Sequence, residues 1–172
     1  MGGCAISKHK SNSGAVRVQF GALPYRITGL GTIEFLLLTS RTRHRWIIPK
    51  GWPIKGLKPA ESGAREAFEE AGVRGKIGGK SLGRFTYDKI LDEDGYAVCC
   101  EVTVFPLAVK RQHKKWPEMA ERETLWLAPA EAIALTDEPG LKPLMEKLAA
   151  KLEAKRKQQP TTPPSAEQPP PG

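Results

Sequence analysis

One stretch constrains this chain more than any other: KGWPIKGLKPAESGAREAFEEAGV, from Lys50 to Val73. Its second half places Glu66, Glu69 and Glu70 within five residues, directly after Arg65. On a helix, residues three or four apart share a face, so the spacing predicts that the three carboxylates converge on one patch. Like charges at that spacing repel and weaken an isolated helix. A hard divalent cation such as Mg²⁺ turns the repulsion into a site, because it favours carboxylate oxygens. Ala60, Ala64, Ala67, Phe68 and Ala71 recur at the helical period and predict an apolar stripe on the opposite side. Pro59 suits a first turn and Gly72 a stop. The glycines Gly51 and Gly56 precede the helix in a loop that also carries Lys50 and Lys55. A solvated charged face is the bland reading of any Glu-Glu pair. The loop lowers its weight, since it presents backbone groups beside the acids.

The remainder reads as one folded unit with irregular ends. Residues 1–13 are small, polar and basic and are expected to be flexible. The segment 158–172 is Pro-rich with almost nothing to bury, and is expected to be disordered. Between them, over 14–157, strand and helix signals alternate. Val16, Val18 and Phe20 read as the inward face of a half-buried strand, and Ile33 to Thr39 as a fully buried one. Arg45 to Pro49, Leu82 to Ile90, Tyr96 to Val109 and Thr124 to Leu127 also look extended. Gly75, Gly78 and Gly79 read as a loop, and Asp92 to Gly95 as a hairpin turn. Helical composition returns at 129–135 and about 141–155. Strands flanked by helices predict an α/β (α+β) sandwich around a mixed central sheet.

Charge adds a direction. There are 27 Lys and Arg against 19 Asp and Glu, a formal net charge of +8, which favours an anionic, phosphorylated partner. Arg41, Arg43 and Arg45 share one face if their segment is extended, and a guanidinium pairs bidentately with phosphate. No apolar run is long enough to span a membrane. Three cysteines, Cys4, Cys99 and Cys100, show no metal-type spacing and point to a reducing setting; a cytoplasmic location is the expectation.

With these residues set out, the chain resembles the Nudix hydrolases. Their box runs from a glycine through five residues to a glutamate, then seven residues to Arg-Glu-apolar-any-Glu-Glu-any-Gly-apolar. Gly51 opens it here and Arg65 to Val73 closes it at the family separation. The first box glutamate falls on Leu57, a departure. Glu61, four residues before Arg65, has the spacing to take over part of its supporting role. Thr39-Ser40-Arg41 and Arg45 to Pro49 make the chain most similar to the diphosphoinositol polyphosphate and diadenosine polyphosphate phosphohydrolases. That subgroup usually has three glycines after the proline, where this chain has Lys50-Gly51-Trp52.

The resemblance implies Mg²⁺- or Mn²⁺-dependent attack of water on a pyrophosphate. It implies Glu66, Glu70 and Glu69 as metal ligands, Glu69 also as the candidate base, and Arg65 as the residue that orients the glutamates. Ser40, Arg41, Arg45, Lys50, Gly51 and Trp52 are the expected substrate contacts. Glu118, Glu121, Glu123 and Arg122 are weaker candidates from a late loop. Another nucleoside diphosphate derivative, an RNA 5′ end, or a non-catalytic phosphate- or nucleic-acid-binding module are the competing readings.

Overall fold

The computed structural model describes residues 15–91 and 97–158. The expected flexible lead-in, the turn at Asp92 to Gly95 and the Pro-rich tail past Gln158 lie outside them. One mixed sheet carries the fold, as expected for an α/β chain. Its central run is β3 (Trp46–Ile47), β2 (Ile33–Thr39), β1 (Arg17–Ile27), β7 (Ala97–Gln112) and β5 (Val73–Ile77), in that order. Three further strands join it: β4 (Lys50–Gly51) pairs with β1, β6 (Gly83–Ile90) with β7, and β8 (Thr124–Leu127) with β2. β1 and β7 run parallel, with Phe20 beside Thr103 and Tyr25 beside Ala108.

Helices cover both faces, which explains the unbroken apolar run in β2. Phe35 and Leu37 point into a core shared with α2 (Pro129–Leu135) and α3 (Lys142–Gln158), where Ala132, Met145, Leu148 and Leu152 meet them. Leu36 and Leu38 point the other way, onto Ala67 and Ala71 of α1 (Pro59–Ala71). The pleat parity holds in β7, where Val102 and Val104 take the first side and Leu107 the second.

Three expectations change. Val16 and Val18 are exposed, not inward, and buried Gln19 takes the face they were assigned. Gln19 is satisfied there because its Oε1 accepts a 2.7 Å hydrogen bond from Tyr87 Oη. Gly75 lies inside β5, at a shift of register against β7, and not in a loop. Cys99 on β7 takes part in a disulfide, while Cys100 is free and buried, so the reducing setting finds no support in the structure.

The capping of α1 also differs from expectation. Glu61 accepts a 2.8 Å hydrogen bond from the backbone N–H of Lys58, closing the first turn. It is therefore occupied with the helix start and does not support Arg65, whose Nε instead lies 2.7 Å from Glu69 Oε1. Gly72 stops the helix in the left-handed conformation at φ 70° and packs under the Trp116 ring. Among the described residues no helix is long and apolar enough to cross a membrane.

Candidate active site

The helix α1 is aimed by its neighbours. Its buried side, Ser62, Gly63, Ala67, Glu70 and Ala71, lies against β1 and β5. Strand β4 brings Gly51 against the next turn, so closely that a Cβ there would overlap the Glu66 carboxyl. A side chain at this position would have to displace the Glu66 carboxyl. The result is a cavity of about 580 Å³ with Glu66 and Glu70 on one wall and Lys50, Gly51 and Trp52 on another.

The three glutamates do not converge on one patch. Glu66 and Glu70 line the cavity; Glu69 does not. Its side chain pairs with Arg65 along the outer flank of the helix, and both are partly exposed. The helical period permits either outcome, and the packing of α1 turns Glu66 and Glu70, not Glu69, to the cavity.

Glu70 is the most perturbed acid. It is 5% exposed, and burial pushes its carboxyl up to about 7, against the opposing pull of Arg122 and Lys50. Arg122 Nη2 donates to Glu70 Oε1 at 2.9 Å, while Oε2 is buried with no hydrogen-bond partner among the described residues. Glu66 is also pushed upward, first by burial and then by the charges of Glu69 and Glu118. Arg122 further donates from Nε to Glu118 Oε2 at 2.6 Å and from Nη1 to Thr39 O at 3.1 Å. It is thus an internal tie between two cleft acids, not an exposed phosphate contact.

The arginine-rich loop is partly used by the fold. Residues 41–43 form a turn, so Arg41, Arg43 and Arg45 do not present the single extended face expected of them, although all three border the cavity. Ser40 Oγ accepts the backbone N–H of Arg45 at 3.0 Å, and Arg45 donates to Asp137 O at 2.9 Å. Arg41 lies 3.4 Å from Glu121 at the rim. Trp52 is 38% exposed at the mouth. Lys50 is buried, and burial lowers the proton affinity of its ammonium, with Glu138 and Glu70 pulling the other way.

Among the described residues no group of three His, Cys, Asp or Glu side chains gathers closely enough to enclose a metal ion. The donor set still fits Mg²⁺, which is bound through one or two carboxylates, several waters and substrate phosphates. Glu70 Oε2 is a buried oxygen with no hydrogen-bond partner among the described residues, and Glu66 stands beside it against the Gly51 backbone.

A NUDIX domain model matches residues 17–148. The chain belongs to the Nudix family. It is 33% identical to Nudix hydrolase 21, chloroplastic, of Arabidopsis thaliana over 142 residues, covering 78% of this chain and 67% of that one. A bovine (Bos taurus) diphosphoinositol polyphosphate phosphohydrolase 3-beta is 38% identical over 68 residues, 40% of this chain and 41% of that one. Among solved structures, a C. elegans Ap4A hydrolase binary complex superposes with a TM-score of 0.58 at 25% identity, over 81% of this chain and 99% of that one. The protein is therefore a Nudix pyrophosphohydrolase, of a family that acts on nucleoside diphosphate derivatives.

Several cleft residues of this Nudix hydrolase escape any reading of spacing. Glu138, Tyr87 and Lys89 line the cavity from segments far along the chain. Only their residue types, an acid, a phenol and a cation, offered a signal.

Proposed function

We propose that this Nudix hydrolase cleaves a pyrophosphate bond in a polyphosphorylated substrate of the diphosphoinositol polyphosphate or dinucleoside polyphosphate kind, with Mg²⁺ or Mn²⁺. One observation carries the reading: a single cavity holds Glu66 and Glu70 together with Arg43, Lys50 and Lys89. Acids alone suit a cation, and bases alone suit a passive anion. Both together suit a metal-bound polyphosphate. The bovine and C. elegans relatives named above support the substrate class.

The geometry of the cavity supports an assignment of roles. Glu70, whose Oε2 has no hydrogen-bond partner among the described residues, is the carboxylate that would hold the divalent cation. When bound, that cation neutralises phosphate charge and lowers the pKa of an attacking water. Among the three box glutamates, Glu66 faces the cavity with no ion pair among the described residues, and its raised proton affinity suits it to take the proton of that water. Glu69, the candidate from the family pattern, is engaged with Arg65 on the outer flank. Arg43 and Lys50 line the same cavity and are the residues that would meet substrate phosphates.

The test is a panel of diphosphoinositol polyphosphates, dinucleoside polyphosphates, ADP-ribose and capped RNA with Mg²⁺ and with Mn²⁺. Wild type is expected to turn over a member of the first two classes. Glu66→Gln is expected to lose turnover while still binding Mn²⁺, Glu70→Gln to lose Mn²⁺ binding, and Glu69→Gln to retain most activity. Hydrolysis of none of the panel, with tight salt-dependent RNA binding, would identify a binding module instead.

A further inference from the structure

A second concentration of charge lies outside the cleft, where α1 ends. Arg74 and Lys76 on β5, Lys110 and Arg111 near the end of β7, and Lys114 and Lys115 in the segment that follows are all exposed. None of the six lines the cavity that holds the glutamates. The stretches 72–80 and 106–117 that carry them contain no Asp or Glu. Among the described residues none of the six forms an ion pair with a carboxylate. Their placement is unfavourable to the sheet itself. Arg74 and Arg111 are direct cross-strand partners, and like charges opposite each other weaken a sheet. The register shifts beside that pair, from Arg74 with Arg111 to Gly75 with Val109, so Lys110 is an extra residue crowded against it.

Two structural reasons for such charge fall short. Cations on the last strand of a sheet deter pairing with other chains, which accounts for Arg74 and Lys76 on β5 but not for the other four. Cations also suit the C-terminus of a helix, yet the last carbonyls of α1 are already met by neutral donors. Gln112 Nε2 donates to Ala71 O at 3.1 Å, Trp116 Nε1 to Glu70 O at 3.2 Å, and the His113 N–H to Gly72 O at 2.8 Å. The composition of the patch then selects among anionic partners. Four of the six are lysines, and no large apolar side chain of 72–80 or 106–117 is exposed. A protein interface has an apolar centre and is depleted in lysine, and entry into a membrane surface needs an apolar face. A phosphodiester backbone demands only cations. Arg74 adds direction. Its guanidinium lies 4.0 Å over the Phe68 ring, which His113 meets edge-on with centroids 5.3 Å apart. A guanidinium so held is a platform for an unstacked base.

We propose that this surface binds single-stranded nucleic acid, with its lysines and Arg111 on the phosphates and Arg74 under a base. It is a docking surface separate from the hydrolytic site and does not depend on which pyrophosphate that site cleaves. The hydrogen bonds from Gln112, His113 and Trp116 to the end of α1 hold the basic segment to the helix that carries Glu66 and Glu70.

The probe is a fluorescently labelled oligouridylate with a 5′-hydroxyl end, which offers the cleft no pyrophosphate. Its anisotropy is followed with the full chain, without divalent metal, over a range of salt concentrations. Binding is expected to weaken with salt at a log–log slope of up to about −4, from about −0.7 for each phosphate neutralised. The double variant Arg111→Gln, Lys114→Gln should lower the magnitude of that slope by about 1.4 and bind on the order of tenfold more weakly at low salt. Arg74→Lys should keep the slope and lose affinity, which separates the platform from its charge. Oligothymidylate should bind comparably, since phosphates and base faces are common to both. Arg43→Gln, in the cleft, should bind like wild type. No binding by wild type, an unchanged slope in the double variant, or equal weakening by Arg43→Gln overturns the surface. A duplex, or phosphatidylserine vesicles, bound as tightly as the oligomer overturns the single strand as its partner. The hydrolytic reading is tested apart from this: the double variant should turn over the small substrates at the wild-type rate, and a fall in that rate would overturn the separation of the two sites.

Discussion

Arg122 and Glu70 form a buried ion pair across the cleft floor, Nη2 to Oε1 at 2.9 Å, with side chains only 6% and 7% exposed. Such a pair recovers its desolvation cost only when the remaining polar groups are also satisfied. Arg122 meets that condition through Glu118 and the Thr39 carbonyl. Glu70 does not, since its second oxygen has no hydrogen-bond partner among the described residues. The asymmetry marks Glu70 as the member arranged for a further ligand.

Removing the arginine should therefore do more than weaken a contact. Arg122→Met leaves Glu70 and Glu118 facing each other uncompensated, at an expected loss of about 3–5 kcal/mol of folding free energy. The double variant Arg122→Met, Glu70→Met removes both charges and should recover much of it. Urea denaturation of the two variants beside wild type measures the difference. Equal stability of the single and double variants would show that the pair is not coupled as the geometry indicates.

Stability should also depend on pH through Glu70. Its folded pKa of about 7 lies above the ordinary 4.5, so between those values the native state binds more protons than the unfolded chain. The stabilising contribution is full below about 4.5 and is lost as pH rises toward 7. Relative to Glu70→Gln, the metal-free protein should lose up to about 3 kcal/mol across that window. Urea unfolding of both at pH 5 and pH 7.5 reads it directly. A parallel pair of pH profiles would refute the assignment.

How far the chain could be read before its fold was known depends on where each contact originates. The acids of α1 and the buried run of β2 were legible because helical and strand periods act within one element. Choosing Glu66 over Glu69 for the cleft was not, because that choice belongs to the packing of α1 against strands elsewhere in the chain. The tie made by Arg122 joins segments more than fifty residues apart, and its flanking Glu121 and Glu123 give no sign of which residue turns inward. Val16 and Val18 misled for a related reason. Apolar letters suggested an inward face, but a hydrogen-bonded glutamine was the residue buried beneath.

The fit between Gly51 and Glu66 makes a sharp prediction. In Gly51→Ala the new methyl would fall within the carboxyl group of Glu66, forcing that side chain out of position. Misplacement of a catalytic group by about 1 Å can cost on the order of a hundredfold in rate. Turnover should drop by that order while the circular dichroism spectrum stays native. Near-normal turnover would mean that Glu66 acts from another rotamer.

Glu61 separates two explanations for a box that lacks its first glutamate. If it supported Arg65, Glu61→Ala would disturb Arg65, and through it Glu69 and turnover. The structure instead spends both the side chain and its position on the first turn, where Glu61 accepts the Lys58 N–H. Loss of a cap of this kind costs about 1 kcal/mol, or a few degrees of Tm in a domain of this size. Glu61→Ala should therefore melt about 2–4 °C lower with kcat unchanged, whereas Glu61→Gln, which still accepts the bond, should melt close to wild type. A fall in kcat without a fall in Tm would return the supporting role to Glu61. Leu57 itself is exposed in the turn before α1, with its N–H bonded to Ile54 O, so the vacated box position needs no substitute for the helix to form.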